Sequence, residues 1–471
     1  HRLHSRQRKI YFRVRTSMRF LAIDIGASSG RHIVGALEDG RIKLKEVYRF
    51  ANGIERRSGH LVWDEKRLVN EVLLGLKAAG EQGLVPDFVG IDTWAVDYAL
   101  LDEEGNAVGD LFSYRDGRTE TAAELVHCII SFNTLYSRTG IQFQPFNTVY
   151  QLYEDKMSGR LKKAKHFLML PDYLDYRLTG EMRQEYTNAT STGMVNAVTH
   201  KWDDDIIGTL GFDGSLFCEL SQPGTVVGRF SKQVRDFVGY DAAVILPATH
   251  DTASAVLAAP IKFGDMYISS GTWSLLGTEQ YGAHTEEAAM RVNYSNEGSI
   301  GYTFRLQKNI MGLWMLQNIR RELGGTFPEM IAMARSQEKG CIVDVNDARF
   351  LAPSDMMQEI RSTVGRPLSD AQVVRTVYDS LALGYKHAVE ELEGITGSRA
   401  ESISIIGGGC RDGLLNELTA KVTGKRILTG PVEATSIGNI IMQMISAGEI
   451  QDIATARKIV KNSFNIGETV A

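Results

Sequence analysis

FLAIDIGASSGRHIVGAL, residues 20–37, is the stretch that decides the fold of this chain. An apolar run ends at Asp24, a turn of glycine, alanine and serine follows, and a second apolar run begins at His32. Two short apolar runs around a small-residue turn predict a β-hairpin. Small residues also let the backbone approach a ligand with its N–H groups exposed, which suits a phosphate chain. The stretch alone does not separate a plain hairpin turn from a phosphate loop.

Length and composition predict a large globular protein of two or three domains. The chain has 471 residues, of which 43% are hydrophobic. No apolar run approaches the roughly 18 residues of a membrane span. The four cysteines form no CxxC pair, which argues against a zinc site or a disulfide framework and suits a reducing cytoplasm. These cysteines are Cys128, Cys218, Cys341 and Cys410.

The charge is unevenly distributed along the chain. Residues 1–17 carry six Lys or Arg and no acid, so the remainder holds 46 basic and 57 acidic residues and has a net charge of −11. An acidic body without a basic face is a poor candidate for nucleic-acid binding. We expect residues 1–17 to be a leader or a cloning remnant, with the natural start at Met18.

The first half of the chain predicts a mixed α/β unit. The opening hairpin is followed by an alternating strand pattern at 41–50 and by an amphipathic helical pattern at 67–83. Residues 88–102 indicate a buried strand, a polar tip and another strand. Residues 119–240 are expected to be mainly helical and to form a cap over the sheet edge.

The second half repeats this opening. DMYISSGTWSLLGTEQ, residues 265–280, is again a strand, a small-residue turn and a strand, and it starts the repeat 245 residues after Asp24, at Ser269. Helical patterns follow, including NIMGLWMLQNIRREL at 309–323, and a late strand ends in the triple glycine 407–409. The pattern predicts a duplicated α/β protein with lobes at 18–258 and 259–471 and a cleft between them.

Four segments carry candidate chemistry: the turns at 24–31 and 269–274, the triple glycine, and PATHDTASAV at 247–256. Hydroxyls and bare backbone in the second turn could grip phosphates from the opposite lobe. The triple glycine could let a nucleotide lie against the backbone, although a tight strand-to-helix turn explains it equally well. A P-loop motif is absent, and Asp412 replaces the last glycine of GxGxxG.

Asp251 is the sharpest catalytic candidate. Phosphoryl transfer needs a group that accepts the proton of the attacking hydroxyl, and His250 and Thr252 beside it could hold substrate hydroxyls. A helix N-cap also explains an Asp before an apolar helix, and spacing alone favours that interpretation. Asp24 is the candidate partner of Mg²⁺, which takes oxygen ligands and keeps several waters.

Taken in order, seven segments resemble the FGGY family of carbohydrate kinases: DIGASSGR, IDTWAVD, YRDGR, PATHDTASAV, SSGTWSLLG, KNIMGLWMLQ and GGGCRD. The resemblance runs from Met18 to about Ser463. ASSGR and THDT are more similar to the members that phosphorylate L-rhamnulose at O1 than to glycerol or xylulose kinases. The resemblance implies an actin-like, ribonuclease-H-like α/β fold of two lobes, with ATP and the sugar meeting in the cleft.

The resemblance also implies a role for individual residues, with Asp251 as the catalytic base and Asp24 holding Mg²⁺ through water. The sugar contacts that it implies are Ala95, His250, Asp251, Thr252 and Asn309. The ATP contacts that it implies are Ala27, Ser28, Ser29, Gly30, Arg31, Thr272, Gln317, Gly408 and Gly409.

Some positions carry open alternatives. Relatives often have glycine at Ala95, so its methyl group is either harmless or narrows the sugar pocket. Trp94 either stacks on the sugar or fills the core. Gln142 or Asn147 in QFQPFNT could help form the sugar pocket, although a polar surface loop is the favoured interpretation. Arg115 and Arg118 in SYRDGR could contact substrate, although a solvated turn is favoured.

Two rival functions stay open on the sequence. One is a kinase of the same family that acts on L-fuculose or D-xylulose. The other is an actin-like nucleotide-binding protein without kinase activity, for which an intact THDT motif is unnecessary. The expected partners are therefore ATP and a small sugar, with no nucleic acid and no membrane, and the sequence does not indicate an oligomeric state.

Overall fold

The structure of the protein, a computed structural model, describes residues 17–470. Residues 1–16 of the predicted leader lie outside the described residues. Within 17–470, no helix is long and apolar enough to cross a membrane.

Strands predominate in residues 17–112. The elements are β1 (Phe20–Ile25), β2 (Ser29–Glu38), β3 (Arg41–Ala51), β4 (Ile54–Arg57), β5 (His60–Trp63), α1 (Glu65–Glu81), β6 (Phe88–Thr93), β7 (Tyr98–Leu101) and β8 (Leu111–Phe112). The predicted meander is confirmed, since β1, β2 and β3 pair antiparallel in sequence. The helix predicted at 67–83 is α1, and Asp64 caps its N-terminus by accepting a hydrogen bond from the Arg67 N–H.

Helices dominate the next part of the chain, as predicted. The elements are α2 (Ala122–Ile129), α3 (Phe132–Thr139), α4 (Thr148–Met157), β9 (His166–Met169), α5 (Leu170–Thr179), β10 (Gln184–Glu185), α6 (Tyr186–Thr190), α7 (Asp204–Thr209), β11 (Leu220–Ser221), β12 (Val226–Arg229), α8 (Lys232–Val238) and β13 (Ala243–Ile245). β13 returns to the first sheet beside β6.

The second half begins with a short helix and the second hairpin. The elements are α9 (Asp251–Leu257), β14 (Met266–Ser270), β15 (Trp273–Gln280), α10 (Glu287–Arg291), β16 (Ser295–Gly298), β17 (Phe304–Met311), α11 (Trp314–Leu323), α12 (Phe327–Arg335), α13 (Met356–Val364), α14 (Asp370–Thr396), β18 (Ser402–Ile406), α15 (Gly413–Thr423), β19 (Arg426–Thr429), α16 (Ala434–Ser446), α17 (Ile453–Ser463) and β20 (Gly467–Thr469).

The two main sheets share one topology. The first has the order β12-β13-β6-β1-β2-β3, and the second has the order β16-β17-β15-β14-β18-β19-β20. In each, an antiparallel hairpin (β1–β2 or β14–β15) is extended on the other side by parallel strands. The predicted two-lobe α/β duplication is therefore confirmed in strand order.

Two helices lie between the sheets. α9 and α16 pack against each other, and α16 also packs on β1 and β6 of the first sheet. A buried apolar cluster joins Phe20 and Ile33 of the first sheet to Ile437 and Ile440 of α16. The two lobes thus share one apolar cluster, and the last helices of the chain pack against the first sheet.

The helix predicted at 309–323 starts later than expected. Residues 309–311 are the end of β17, where Asn309 pairs with Leu275 and Met311 with Trp273 of β15. Gly312 then lies so close to the Gly271 carbonyl that a Cβ there would be 2.7 Å from its oxygen. This tight turn ends the strand and lets α11 begin at Trp314, so Asn309 and Gln317 lie on different elements.

Candidate active site

Asp24 and Asp92 lie side by side where β1 and β6 end, as partners in the parallel register. Both are buried, and α16 covers them: Ser436 Oγ donates to Asp24 Oδ2 at 3.2 Å, and Asn439 Nδ2 donates to Asp92 Oδ2 at 2.6 Å. Asp92 Oδ1 has no hydrogen-bond partner among the described residues. Burial, and then the charge of Asp24, raise the pKa of Asp92 well above the ordinary aspartate value. This corner of the cleft therefore favours a cation.

Asp251 opens α9 and faces this corner. Its side chain is 31% exposed, and its Oδ1 accepts the Thr252 N–H at 2.6 Å and the Thr252 hydroxyl at 3.2 Å. Burial in the cleft raises the pKa of Asp251; the charge of Asp24 adds to this, and His250 and Thr252 work against it. A partly exposed carboxylate that is harder to ionise than usual is suited to accept a proton.

The N-cap interpretation of Asp251 is wrong. The N-cap of α9 is His250, which makes no side-chain capping bond, and Asp251 is the first helical residue. Asp251 Oδ1 accepts the N–H of the next residue, Thr252, and this bond holds the carboxylate at the start of the helix.

The segment before Asp251 is held by a buried carboxylate that the sequence did not single out. Glu185 Oε2 accepts both the Thr249 N–H at 3.1 Å and the Thr249 hydroxyl at 2.8 Å. Glu185 also caps α6 through the N–H groups of Thr187 and Asn188. The turn that carries His250 and Asp251 is therefore fixed to the helical part of the first lobe.

His250 is held by two residues of the second sheet. Its Nδ1 lies 3.0 Å from Glu297 Oε2, and Arg305 Nη2 lies 3.2 Å from the same oxygen. His250 Nε2 lies 3.4 Å from Asp251 Oδ1. Sequence reasoning missed Glu297 and Arg305, and no motif around them signals chemistry. Only the burial of a charged pair reveals them.

The first small-residue turn is closed by the Gly26 N–H, which donates to Ser29 O at 2.8 Å. Asn52 holds its carbonyls, because the Asn52 backbone N–H donates to Ser28 O at 2.9 Å and Nδ2 donates to Gly26 O at 2.8 Å. Ser28 and Ser29 are exposed. Gly30 has a different reason to be small, since a Cβ there would lie 2.2 Å from the Phe50 ring.

Arg31 is occupied by carboxylates in this structure. Its guanidinium lies 3.0 Å from Asp24 Oδ2 and also pairs with Glu433, the residue before α16. The predicted ATP contact therefore ties the first turn to the start of α16.

The second turn joins two of the predicted ATP contacts. Thr272 Oγ1 donates to Gln317 Oε1 at 3.3 Å, so the turn and the first part of α11 form one surface. The triple glycine packs beneath this turn: a Cβ on Gly409 would lie 1.9 Å from Ser270 Oγ, whereas a Cβ on Gly408 would meet no atom within 4 Å. Gly408 thus faces open space, and Gly409 faces Ser270.

The predicted sugar side contains a strained residue. Val96, next to Ala95, has φ +68°, in the left-handed region that β-branched residues avoid. Its carbonyl accepts the Thr148 hydroxyl at 2.7 Å, which holds this conformation. Strain of this kind concentrates at functional sites, and here it sets the direction of the backbone at Ala95.

Trp94 is a core residue with a polar anchor. It is 7% exposed, and its ring centroid lies 4.2 Å from that of Trp63. Both indole N–H groups donate to Asp97 Oδ2, at 2.9 Å from Trp94 and 2.7 Å from Trp63. Burial raises the pKa of Asp97 to about 6, against the effect of these bonds. Of the two alternatives for Trp94, filling the core is the one that this packing supports.

Asn309 shares a strand face with the residues behind His250. The two-residue repeat of β17 puts Arg305, Gln307 and Asn309 on one face, and Arg305 reaches Glu297 from there. Lys308, on the other face, pairs with Glu391 at 2.8 Å. Asn309 therefore lies on the face of β17 that is turned toward His250.

Two expected surface segments are buried. Gln142 and Asn147 are 7% and 6% exposed, and the Gln142 N–H donates to Ser295 Oγ across the lobe boundary. In SYRDGR, Arg115 is exposed as expected, whereas the Arg118 side chain is 6% exposed and pairs with Asp155 at 2.7 Å. Alternating polar residues resemble a surface loop in sequence even when both lobes cover them.

No three His, Cys, Asp or Glu side chains converge as a complete metal-ligand set in the described part of the chain. The carboxylates of Asp24 and Asp92 nevertheless lie in register at one corner, with an unpartnered oxygen on Asp92. Mg²⁺ fits such a corner because it keeps several waters and takes its remaining ligands from phosphates.

Comparison with known proteins places these residues in a family context. Residues 19–258 match the N-terminal domain of the FGGY family of carbohydrate kinases, and residues 266–447 match its C-terminal domain. The chain is 46% identical over 460 residues to a protein of Halalkalibacterium halodurans named rhamnulokinase, covering 96% of this chain and 98% of that protein. It is 45% identical over 455 residues to the rhamnulokinase of Oceanobacillus iheyensis, covering 95% and 97%.

A solved structure shares the fold at low sequence identity. The ligand-bound xylulose kinase from Lactobacillus acidophilus has a TM-score of 0.82 at 16% identity, with 95% of this chain and 93% of that chain covered. The likeness extends through both lobes, and at this identity it concerns the fold alone.

Proposed function

Because the chain belongs to the FGGY family of carbohydrate kinases, we propose that it transfers the γ-phosphoryl group of ATP to O1 of L-rhamnulose. The observation that carries the choice of sugar is the identity of 45% and 46%, over nearly the whole chain, to two relatives named rhamnulokinase. The two-lobe fold supports the reaction type, since a cleft between lobes can hold ATP and a sugar together. Four free thiols are consistent with a reducing cytoplasm as its location.

Asp251 acts as the general base in this proposal. Its carboxylate takes the proton of the O1 hydroxyl while O1 attacks the γ-phosphorus in line and the bond to the bridging oxygen of ADP breaks. The raised pKa of Asp251 and its open position at the start of α9 support this role. His250 and Thr252 flank the base and would hold sugar hydroxyls, together with the backbone at Ala95 and the side chain of Asn309.

The phosphates would lie between the two small-residue turns. The exposed residues Ser28 and Ser29 and the hydroxyl of Thr272 would offset charge on the transferred group. Gln317 supports Thr272, and Gly408 leaves open space beside the same turn. Asp24 would hold Mg²⁺ through water, with Asp92 beside it in register, and this ion would neutralise phosphate charge when bound.

Sugar-dependent ADP release from the full chain tests the proposal. L-rhamnulose, L-fuculose, D-xylulose and glycerol are compared in parallel with Mg-ATP. Asp251→Asn is expected to lose 10²- to 10⁴-fold in kcat, as is typical of a general base, while it keeps ATP binding. Asp452→Asn is the matched control, because Asp452 caps α17 by accepting the Thr455 N–H at 2.7 Å and lies outside the proposed site. It should keep full activity and nearly full stability, since Asn caps a helix about as well as Asp.

The outcomes separate the alternatives. A highest kcat/KM for L-rhamnulose, together with an inactive Asp251→Asn that binds ATP, supports both the sugar and the base. If L-fuculose or D-xylulose has the highest kcat/KM, the choice of sugar is wrong and the mechanism stands. If Asp251→Asn keeps its activity, Asp251 is not the base.

A further inference from the structure

Glu297 and His250 come from different lobes and meet behind the proposed base. Glu297 lies on β16, at the edge of the second sheet, and is 6% exposed; His250 ends the first lobe and is 7% exposed. The imidazole lies between two carboxylates, with Nδ1 3.0 Å from Glu297 Oε2 and Nε2 3.4 Å from Asp251 Oδ1. Because the ring contacts both carboxylates, the position of Glu297 determines how His250 is oriented toward Asp251.

The charge on Glu297 determines where the ring carries its hydrogen. Although burial works against it, His250 and Arg305 hold the pKa of Glu297 at about 2, so this carboxylate is ionised and can only accept. The 3.0 Å contact between Nδ1 and Glu297 Oε2 therefore requires a hydrogen on Nδ1. Arg305 Nη2 also lies 3.3 Å from Nδ1, where it could donate only to a bare nitrogen, and it donates to Glu297 Oε2 at 3.2 Å.

Glu297 keeps its place relative to His250 because β16 is bonded to the first lobe on both sides of it. The Asn296 N–H donates to Gly140 O at 2.8 Å, and the Gly298 N–H donates to Thr190 Oγ1 at 2.9 Å. The pair formed by Glu297 and His250 thus lies at a hydrogen-bonded boundary between the lobes.

We propose that Glu297 is a positioning residue for the phosphoryl transfer, which fixes the His250 ring with its hydrogen on Nδ1 and presents Nε2 to Asp251 and the sugar. The inference rests on the proposed function and adds a residue of the opposite lobe to the site. Arg305, whose side chain is fully buried, holds Glu297 in turn. Three charged side chains, on β16, β17 and α9, face His250: those of Glu297, Arg305 and Asp251, with Asp24 and Asp92 beyond Asp251.

The first test reads the tautomer of His250 in the unmodified protein. Two-dimensional ¹⁵N NMR with labelled histidine distinguishes a hydrogen on Nδ1 from one on Nε2, and His250→Asn serves only to assign the signal. A protonated Nδ1 is expected in the wild type. A neutral ring with its hydrogen on Nε2 alone would overturn the proposal, whether or not L-rhamnulose is the substrate.

The second test compares two buried Glu→Gln substitutions. Glu297→Gln is expected to lower kcat at least tenfold with whichever sugar is phosphorylated best, to leave the KM for ATP within twofold, and to change the His250 signal. Glu297→Asp keeps the charge and should recover part of the loss. Glu279→Gln is the matched control, since Glu279 is equally buried in the second sheet, lies opposite Arg305 in the register, and pairs with Arg457 instead of His250. It should retain activity and the His250 signal.

The outcomes separate positioning from mere structural support. Equal losses of kcat in Glu297→Gln and Glu279→Gln, with similar losses of thermal stability, would mean that any broken buried pair has this effect, and the proposal would fall. If Glu297→Gln does not fold, the kinetics of Glu297→Asp and the wild-type NMR measurement still test whether Glu297 positions His250. Absence of turnover with every sugar would refute the proposed function, whereas the tautomer measurement would still judge the role of Glu297.

Discussion

At the residue scale, the site depends on carboxylates whose surroundings differ. Asp251 is partly exposed and is bonded through one oxygen to Thr252, whereas Asp92 is fully buried and Asp24 is bonded to Arg31 and Ser436. The same chemical group can thus serve as a base in one position and as fixed charge toward a cation in another.

The pH dependence of turnover follows from Asp251. Its carboxylate form is the active one, and burial, reinforced by Asp24, raises its pKa. We therefore expect kcat/KM for the sugar to fall with decreasing pH along a limb that lies above about 3.9, the ordinary aspartate value. A pH profile of ADP release measures the limb, and circular dichroism at each pH distinguishes it from acid unfolding. Constant kcat/KM down to pH 4 in folded protein would contradict the assignment.

Adding one methyl group is expected to have different effects at two neighbouring positions of the triple glycine, Gly408 and Gly409. In Gly409→Ala the Cβ would lie 1.9 Å from Ser270 Oγ, and we expect a loss of about 1–3 kcal/mol of stability. In Gly408→Ala the Cβ enters open space, so stability is kept and binding of an ATP analogue weakens by about tenfold, or 1.4 kcal/mol. Thermal melts and calorimetric titrations measure the two effects. Equal melting temperatures for both variants would show that Gly409 does not pack as described.

At the element scale, local patterns predicted the strands and turns that build the sheets. The hairpins at 20–38 and 266–280 were predictable because alternating apolar residues and small-residue turns act within a few positions. The contact of Ser436 with Asp24 joins residues 412 positions apart, and no local pattern contains it. For the same reason Glu297 and Arg305 could not be found from the sequence, although Asp251 could be singled out within its own motif.

The turn between β6 and β7 depends on one buried hydroxyl. Thr148→Val removes the donor to the Val96 carbonyl, which leaves only the weaker Gln151 contact at 3.4 Å and costs about 1–3 kcal/mol. We expect the strained turn to relax and the KM for the sugar to rise severalfold, with the KM for ATP unchanged, because Ala95 is proposed to contact the sugar and not ATP. Initial-rate kinetics with each substrate varied in turn measures both constants.

Thr419→Val is the matched control for this prediction. Thr419 is also fully buried and donates at 2.7 Å to a carbonyl, that of Leu415, but within α15. It should lose stability without a change in either KM. A rise in both KM values for Thr148→Val would indicate general distortion instead of a role at the sugar side.

At the scale of the whole molecule, chain order and spatial order differ. The family domains meet between 258 and 266, yet α16 and α17 from the end of the chain cover the first sheet. The helices therefore connect the two lobes through a shared core, and a loop of one lobe can be held by residues of the other, as His250 is by Glu297.

This shared core predicts that the first lobe does not fold alone. The segment from α16 to α17 supplies at least six almost fully buried apolar side chains to the cluster on the first sheet: Ile437, Ile440, Ile441, Met444, Ile450 and Val460. At about 1.5–3 kcal/mol for each buried side chain, their loss is on the order of 10 kcal/mol, comparable to the whole stability of a typical domain. A fragment of residues 18–258 should therefore be unfolded or aggregated by circular dichroism and size-exclusion chromatography.

Returning the missing helices tests the cause. The same fragment fused through a flexible linker to residues 430–464 regains α16 and α17 and should recover cooperative thermal unfolding, while a fusion to residues 367–397, which contain α14, should not. α14 serves as the control because it is helical and apolar but packs in the core of the second lobe. The full chain should then unfold in one transition, since neither sheet can lose α16 without exposing its neighbour. A stable, monomeric 18–258 fragment would mean that the cluster on the first sheet is dispensable and that the lobes fold independently.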